Sequence, residues 1–121
     1  MALEKGIAEL VREFIDAGRP SSREQNIDDR RNGYVVSAVL AGEQENRVWV
    51  EDIELEGMFF RVVSPLNATG ALPAVIYFHG GCFISGGFAT HDHQLRQLAY
   101  HSGCRVIAVQ YRLAPEHTFP A

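Results

Sequence analysis

The densest group of residues that could carry out chemistry is the segment F-H-G-G-C-F-I-S-G-G at residues 78–87. It follows the apolar run A-V-I-Y-F, residues 74–78, which predicts a loop at the carboxyl end of a buried strand, where open α/β sheets bind ligands. Glycines allow such a loop to turn sharply and to aim several N–H groups at one point, which creates an anion site. The anion could be a bound phosphate, or the oxyanion that forms during acyl transfer.

The motif around the glycines favours the oxyanion. Neither G-x-x-x-x-G-K-[ST] nor a G-x-G-x-x-G that opens a helix directly occurs in the sequence, which argues against phosphate binding. Lipases and esterases of the α/β-hydrolase fold place an oxyanion-binding N–H in an H-G-G-type loop after the third strand, and His79, Gly80 and Gly81 follow the third predicted strand. A tight turn without a binding role is the structural alternative for the two glycines.

The elements around this loop predict a βαβ unit. Residues 74–78 and 105–110 are continuous apolar runs, which favour strands buried on both faces as in a parallel sheet. A helix over residues 91–102 is expected between them, with Thr90 as its cap and Gly103 at its end. Two β-rich runs earlier in the chain predict an antiparallel hairpin around a glycine turn, at residues 49–55 and 58–63.

Two helices are predicted before the hairpin. An apolar stripe at helical spacing indicates a helix over residues 3–17, whose usual role would be to pack on the protein's own core rather than on a partner or a membrane. Ser21 and Glu24 form the pattern of a capping box for a second helix, in which a break near Gly33 is expected.

The composition of the 121 residues excludes several classes of protein. The net charge is −4 and no dense basic run occurs, which argues against nucleic acid as the main partner. No apolar run approaches the roughly 20 residues of a membrane span. Only two cysteines, Cys82 and Cys104, are present, and their wide separation indicates a reduced, cytoplasmic protein.

Three segments together resemble the hormone-sensitive-lipase-like (family IV) bacterial esterases of the α/β-hydrolase fold. They are the glycine loop itself, T-H-D-H at residues 90–93, and Y-R-L-A-P-E-H-T-F-P-A at residues 111–121. The resemblance implies the N-terminal part of an α/β-hydrolase sheet, with a hairpin followed by the βαβ unit. Residues 46–121 would be a partial α/β-hydrolase core, and residues 1–45 a helical segment in the position of the family's cap.

The resemblance also implies roles for individual residues. Gly80 and Gly81 would donate oxyanion N–H groups, and His79 would brace their loop. Structural supports near the wall of the active site would be Tyr111, Arg112, Pro115 and Glu116. Arg112 and Glu116 could also bind a substrate carboxylate, but a buried bracing pair at the loop is the favoured interpretation. No cofactor is implied.

Two positions depart from the family pattern. Cys82 stands where a third glycine is usual, and a cysteine can keep the loop only if this position does not need a positive φ. As an alternative, Cys82 could act as a nucleophile near N–H groups, but a small side chain filling the loop is the favoured interpretation. Gln110 stands where an acidic residue usually precedes Y-R-L-A-P-E, so a charge is removed beside the site.

A nucleophile for acyl transfer is not evident in the sequence. None of the six serines lies in a G-x-S-x-G elbow, and Ser85 in F-I-S-G-G comes nearest. We therefore expect a truncated, N-terminal portion of a short-chain carboxylesterase that is inactive alone and would act on a small ester when complete. Self-association or pairing with a missing C-terminal part would follow. The alternative is a non-catalytic α/β interaction module derived from a hydrolase.

The five histidines do not predict a metal site. His91 and His93 are two residues apart, which places them on one face of a strand but not of the helix expected there. No cysteine or carboxylate stands at a spacing typical of zinc sites, so surface or loop-bracing roles are favoured.

Overall fold

The computed structural model describes residues 3–121, which form a four-stranded sheet and three α-helices. The helices are α1 (Lys5–Asp16), α2 (Ile27–Ser37) and α3 (Phe88–Ser102), and a 3₁₀ turn over Ala38–Ala41 extends α2. The strands are β1 (Val48–Leu55), β2 (Met58–Pro65), β3 (Ala74–Phe78) and β4 (Arg105–Gln110).

The sheet has the order β1-β2-β4-β3 and joins a hairpin to a βαβ unit. β1 and β2 pair antiparallel around a two-residue turn, Glu56-Gly57, in which both residues have positive φ as type I′ hairpins require. β3 and β4, which α3 connects, pair directly in parallel, and β4 also pairs antiparallel with β2. The predicted fold class, a hairpin followed by a βαβ unit, is therefore confirmed.

The hydrophobic core lies between α3 and one face of the sheet. Val63 pairs with Val106 across β2 and β4, and both side chains are fully buried. Leu95 and Ala99, one helical turn apart on α3, cover this pair and are also fully buried. Because α3 follows the glycine loop directly, this packing fixes the position at which the loop ends.

The opposite face of the sheet is exposed, which corrects the prediction that residues 74–78 form a strand buried on both sides. Ile76 is 63% exposed and Phe78 66%, while their neighbours Val75 and Tyr77 pack towards the core. Within residues 3–121 only α3 covers the sheet, and β3 lies at its edge. A continuous apolar run indicates strand formation, but it does not show which other segments cover the strand.

The front helices also differ from their predictions. The apolar stripe of α1 does not pack on a core in the described part of the chain, since Phe14 and Ile15 are more than 60% exposed. Ser21 and Glu24 do hydrogen-bond to each other, but α2 begins only at Ile27 and its cap is Asn26, whose side chain accepts the N–H of Asp29.

The predicted break at Gly33 is absent, because α2 runs continuously to Ser37. Among residues 3–121, no helix combines the length and the apolar character needed to cross a bilayer.

Candidate active site

The glycine loop, residues 79–87, connects the end of β3 to the start of α3 and folds around one carbonyl group. The oxygen of Gly81 accepts the backbone N–H groups of Ile84 and Ser85 at 3.1 and 3.0 Å, and the Ser85 hydroxyl at 3.1 Å. Gly81 has φ 138°, and a Cβ at this position would lie 1.9 Å from the backbone oxygen of Ser85. No side chain fits there, so this glycine is required by the path of the loop.

Cys82 adopts a left-handed backbone conformation. The expectation that this position does not need a positive φ is therefore wrong. Its φ is 55°, and that of Phe83 is 61°. Both side chains are exposed, so Cys82 does not fill the loop either. Left-handed conformations of non-glycine residues cost roughly 1–2 kcal/mol each, so the loop is held in this shape by contacts elsewhere.

Replacing Cys82 by glycine should therefore stabilise the protein. We expect Cys82→Gly to raise the free energy of unfolding by about 0.5–1 kcal/mol, because the relief of strain exceeds the added entropy of the unfolded backbone. Urea denaturation measures this difference. Cys104 has no positive φ, so the matched variant Cys104→Gly should lower stability by about 0.4–1 kcal/mol. A decrease of stability in both variants would contradict the strain at Cys82.

His79 is buried beneath the loop and lies against two of its glycines, Gly80 and Gly86. Its Nδ1 lies 2.9 Å from the oxygen of Gly80, and since a carbonyl only accepts, this nitrogen carries the proton. The ring stacks on Tyr111 at a centroid distance of 4.2 Å, and the Tyr111 hydroxyl donates to the His79 carbonyl. Gly86 must be glycine here, because a Cβ would lie 2.5 Å from His79 Nδ1.

A second histidine supports the first from α3. His91 is buried with its ring 5.4 Å from that of His79, and its Nε2 lies 3.2 Å from the hydroxyl of Tyr34 on α2. Burial lowers the pKa of His91, so the neutral ring is favoured in this cluster. α3 begins at Phe88, three residues before the predicted start, and His91 therefore lies inside the helix. Thr90 is not its cap residue but accepts the N–H of Gly87.

The N–H groups of Gly80 and Gly81 remain unused. No hydrogen bond among residues 3–121 is donated by either of them. Both glycines border a cavity of about 750 Å³ at the carboxyl end of β3. Its wall is largely apolar and includes the aromatic side chains of Phe78, Phe83 and Phe119. The site thus combines two free N–H donors with an apolar cavity, a combination suited to an anion that develops on a largely apolar substrate.

Comparisons with known proteins agree with this geometry. A protein family described as alpha/beta hydrolase fold matches residues 75–121. The structure of a hyperthermophilic esterase from the archaeon Pyrobaculum calidifontis superimposes with a TM-score of 0.81 at 35% identity, over 100% of this chain and 40% of that one. The chain has an α/β-hydrolase fold.

Further relatives of this α/β-hydrolase are also esterases. An esterase from the bacterial hormone-sensitive lipase family has a TM-score of 0.81 at 27% identity, with coverage of 100% of this chain and 39% of its own. The ethyl acetate hydrolase of Pseudomonas putida is 31% identical over an alignment of 133 positions, gaps included, that covers 99% of this chain and 42% of the relative. The resemblance to hormone-sensitive-lipase-type esterases is confirmed. The chain spans less than half the length of these relatives.

Arg31, which the sequence did not single out, connects the helical segment of this α/β-hydrolase to its loop. Its guanidinium forms a two-bonded ion pair with Glu116 and also donates to the carbonyl oxygens of Ile84 and Ala114. The prediction that Arg112 and Glu116 form a bracing pair is therefore wrong, since Glu116 pairs with Arg31. Nothing near Arg31 in the sequence could have shown this, because its partners lie 53 to 85 residues away.

Gln110 has a local role that is compatible with its departure from the family pattern. Its side-chain oxygen accepts the N–H of Phe88 at 3.0 Å, the first residue of α3. A carboxylate could accept the same bond, so the amide preserves the contact while it removes the charge. The first turn of a helix has N–H groups without intrahelical partners, and Gln110 satisfies one of them.

Proposed function

We propose that this chain supplies the oxyanion loop of a serine carboxylesterase that acts on small esters. The observation that carries the proposal is the pair of unused N–H groups at Gly80 and Gly81, two residues that line an apolar cavity at the carboxyl end of β3. The esterase relatives support hydrolysis as the reaction. The aromatic wall favours an ester with an apolar acyl or alcohol group.

The reaction proceeds by attack of a serine oxygen on the ester carbonyl. The carbonyl oxygen then becomes negatively charged, and the N–H groups of Gly80 and Gly81 stabilise it with a further N–H next to the serine. Electrostatic stabilisation of this kind needs donors that are already in place, so a rigid loop is required. No cofactor takes part.

His79 acts as the brace of the loop rather than as the general base. Its Nδ1 proton is committed to Gly80, and its Nε2 is buried without a partner among the described residues. A base must reach the proton of the nucleophile within hydrogen-bond distance, which this buried ring does not. Stacking against Tyr111 instead fixes the ring beneath the two donors.

The nucleophile and its base lie outside these 121 residues in this proposal. Ser85 is 8% exposed and its hydroxyl is bonded to the Gly81 oxygen, so it is not available for attack. The chain alone should have negligible turnover, and pairing with the remaining part of the site would restore it. The exposed face around Ile76 and Phe78 also fits a second candidate, a non-catalytic module that binds another protein segment.

A chimera tests the proposal directly. Residues 1–121 are joined to the part of the Pyrobaculum calidifontis esterase that this chain does not cover, and hydrolysis of p-nitrophenyl acetate is measured. The chimera should hydrolyse the ester, whereas the 121-residue chain should not exceed the buffer rate. Rapid, serine-inhibitor-sensitive hydrolysis by the chain alone would overturn the proposal. A folded but inactive chimera would favour the interaction module.

A further inference from the structure

The guanidinium of Arg31 lies where three separate parts of the fold meet. Arg31 belongs to α2, and its Nε donates to the oxygen of Ile84 at 2.7 Å, in the second half of the glycine loop. One terminal nitrogen donates to the oxygen of Ala114 at 3.0 Å, and both pair with the carboxylate of Glu116 at 2.8 Å. One side chain thus joins the helical segment, the loop and the segment after β4.

The hydrogen bonds of Arg31 strengthen a contact between the glycine loop and the segment after β4 that the backbone makes on its own with fewer bonds. A single backbone bond connects the loop to the segment after β4, from the N–H of Ala114 to the oxygen of Phe83 at 2.9 Å. Arg31 binds the next carbonyl on the loop side, Ile84, and the carbonyl of Ala114 itself. Without it, the bond from Ala114 would be the one hydrogen bond within residues 3–121 that holds the strained residues Cys82 and Phe83 to that segment, and the Tyr111–His79 bond would hold the start of the loop.

The chemistry of the contact requires an arginine. A guanidinium has donors arranged in a rigid plane that can fork onto a carboxylate and still reach carbonyl groups, whereas an ammonium is a point charge. The hydrogen bond from Arg31 lowers the pKa of Glu116 from 4.5 to about 2, so the pair stays ionised well into the acidic pH range. The Arg31 side chain is 27% exposed and that of Glu116 53%, so solvent screens the ion pair in part, while the bonds from Arg31 to the two carbonyl oxygens are partly buried.

The same face of α2 reaches the other end of the loop. Tyr34 lies three residues after Arg31, which places both on one side of the helix. The Tyr34 hydroxyl contacts His91, whose ring packs beside His79 under the start of the loop. α2 therefore contacts the loop itself through Arg31, and through Tyr34 it contacts His91, which packs against His79 at the start of the loop.

We propose that Arg31 is a positioning residue, which locks the glycine loop against the segment after β4 and so keeps the N–H groups of Gly80 and Gly81 directed into the cavity. The catalytic consequence rests on the function proposed above, but the locking does not. The role would make the helical segment part of the machinery that shapes the oxyanion site rather than a separate covering layer.

Amide hydrogen exchange in the 121-residue chain tests whether Arg31 holds the glycine loop in place, without any assay of activity. In Arg31→Gln the amides of Ser85 and Ala114 should exchange about tenfold faster or more, because charge-assisted bonds to the loop are lost. Strand amides around Val63 and Val106 should keep their protection. Arg31→Lys should resemble Arg31→Gln at Ala114, since lysine keeps the charge but not the fork.

The matched control is Arg30→Gln, which removes an arginine from the same helix. The Arg30 side chain forms no hydrogen bond or ion pair within residues 3–121, so its loss should leave all these amides unchanged. Unchanged exchange at Ser85 and Ala114 in Arg31→Gln would overturn the proposal. An equal acceleration across the core strands would also overturn it, because Arg31 would then be a general stabilising residue.

The chimera provides the catalytic arm of the test. Arg31→Gln should lower kcat and kcat/KM together by about 10- to 100-fold, short of the loss expected for complete removal of oxyanion donors, with KM little changed. A rise in KM alone would contradict a positioning role in the reaction. An inactive wild-type chimera would count against the proposed function, and the exchange result would then decide the role of Arg31 independently.

Discussion

Gly81→Ala should lower ester hydrolysis by the chimera by about 10²-fold or more, while Gly80→Ala should leave the loop folded. The two glycines are adjacent, but their surroundings differ. A Cβ at Gly81 would lie 1.9 Å from the oxygen of Ser85, and its φ of 138° is strained for any L side chain. A Cβ at Gly80 meets nothing within 4 Å, and its φ is not positive.

The expected loss follows from the bonds that Gly81 organises. Its carbonyl accepts three hydrogen bonds from Ile84 and Ser85, so the backbone can move to admit a methyl group only if that turn opens. The donors at Gly80 and Gly81 would then leave their positions. Removal of a single oxyanion donor costs about 10²–10³ in kcat, so a decrease of about 10²-fold or more is expected.

Kinetics and amide spectra of both variants check this prediction. The amide resonances of Ile84 and Ser85 should shift in Gly81→Ala and stay close to the wild type in Gly80→Ala. Equal retention of kcat in the two variants would contradict the importance of the Gly81 turn. If Gly81→Ala lost activity with an unchanged loop spectrum, the loss would have to be explained by the methyl group in the cavity instead.

The part of the fold that the sequence could predict is the part determined by local pattern. The βαβ unit was evident because two apolar runs and a helical segment ended by Gly103 leave few alternatives, and Gly103 does end α3 with φ 68°. The exposure of Ile76 was not predictable from the run that contains it. Burial depends on which elements cover a strand, and that is a property of distant segments.

A local sequence pattern can also be present without the helix that it usually begins. Ser21 and Glu24 form the side-chain contact of a capping box, but α2 starts six residues after Ser21 and uses Asn26. The hydrogen bond is favourable in a short turn as well as in a helix. Its presence therefore does not fix where a helix begins.

The candidate site also contains both residues that the sequence could predict and features that it could not. Gly80, Gly81 and His79 were identified from one contiguous motif, and the structure places them together beside the cavity. The strain at Cys82 could not be predicted, because residue type alone does not determine φ at a position off the family pattern. Arg31 was missed for a physical reason: an arginine on a helix usually faces solvent, and its partners are brought to it only by the tertiary fold.

Leu95→Ala should cause the largest loss of stability of any single truncation considered. Leu95 is fully buried between α3 and the paired residues Val63 and Val106. Truncation of a leucine in such a position costs about 2–5 kcal/mol, because apolar contacts are lost and a cavity remains. A domain of ordinary stability has about 5–15 kcal/mol in total, so the variant should lose a large part of its free energy of unfolding.

The matched control lies three residues further along the same helix. Leu98 is 36% exposed, so Leu98→Ala removes the same atoms from a position that water already reaches. Its cost should be about 1 kcal/mol, which urea denaturation separates readily from that of Leu95→Ala. Similar losses for the two variants would mean that α3 does not pack on the sheet as described. Since α3 begins where the glycine loop ends, the loop would then lose the fixed support that its proposed role requires.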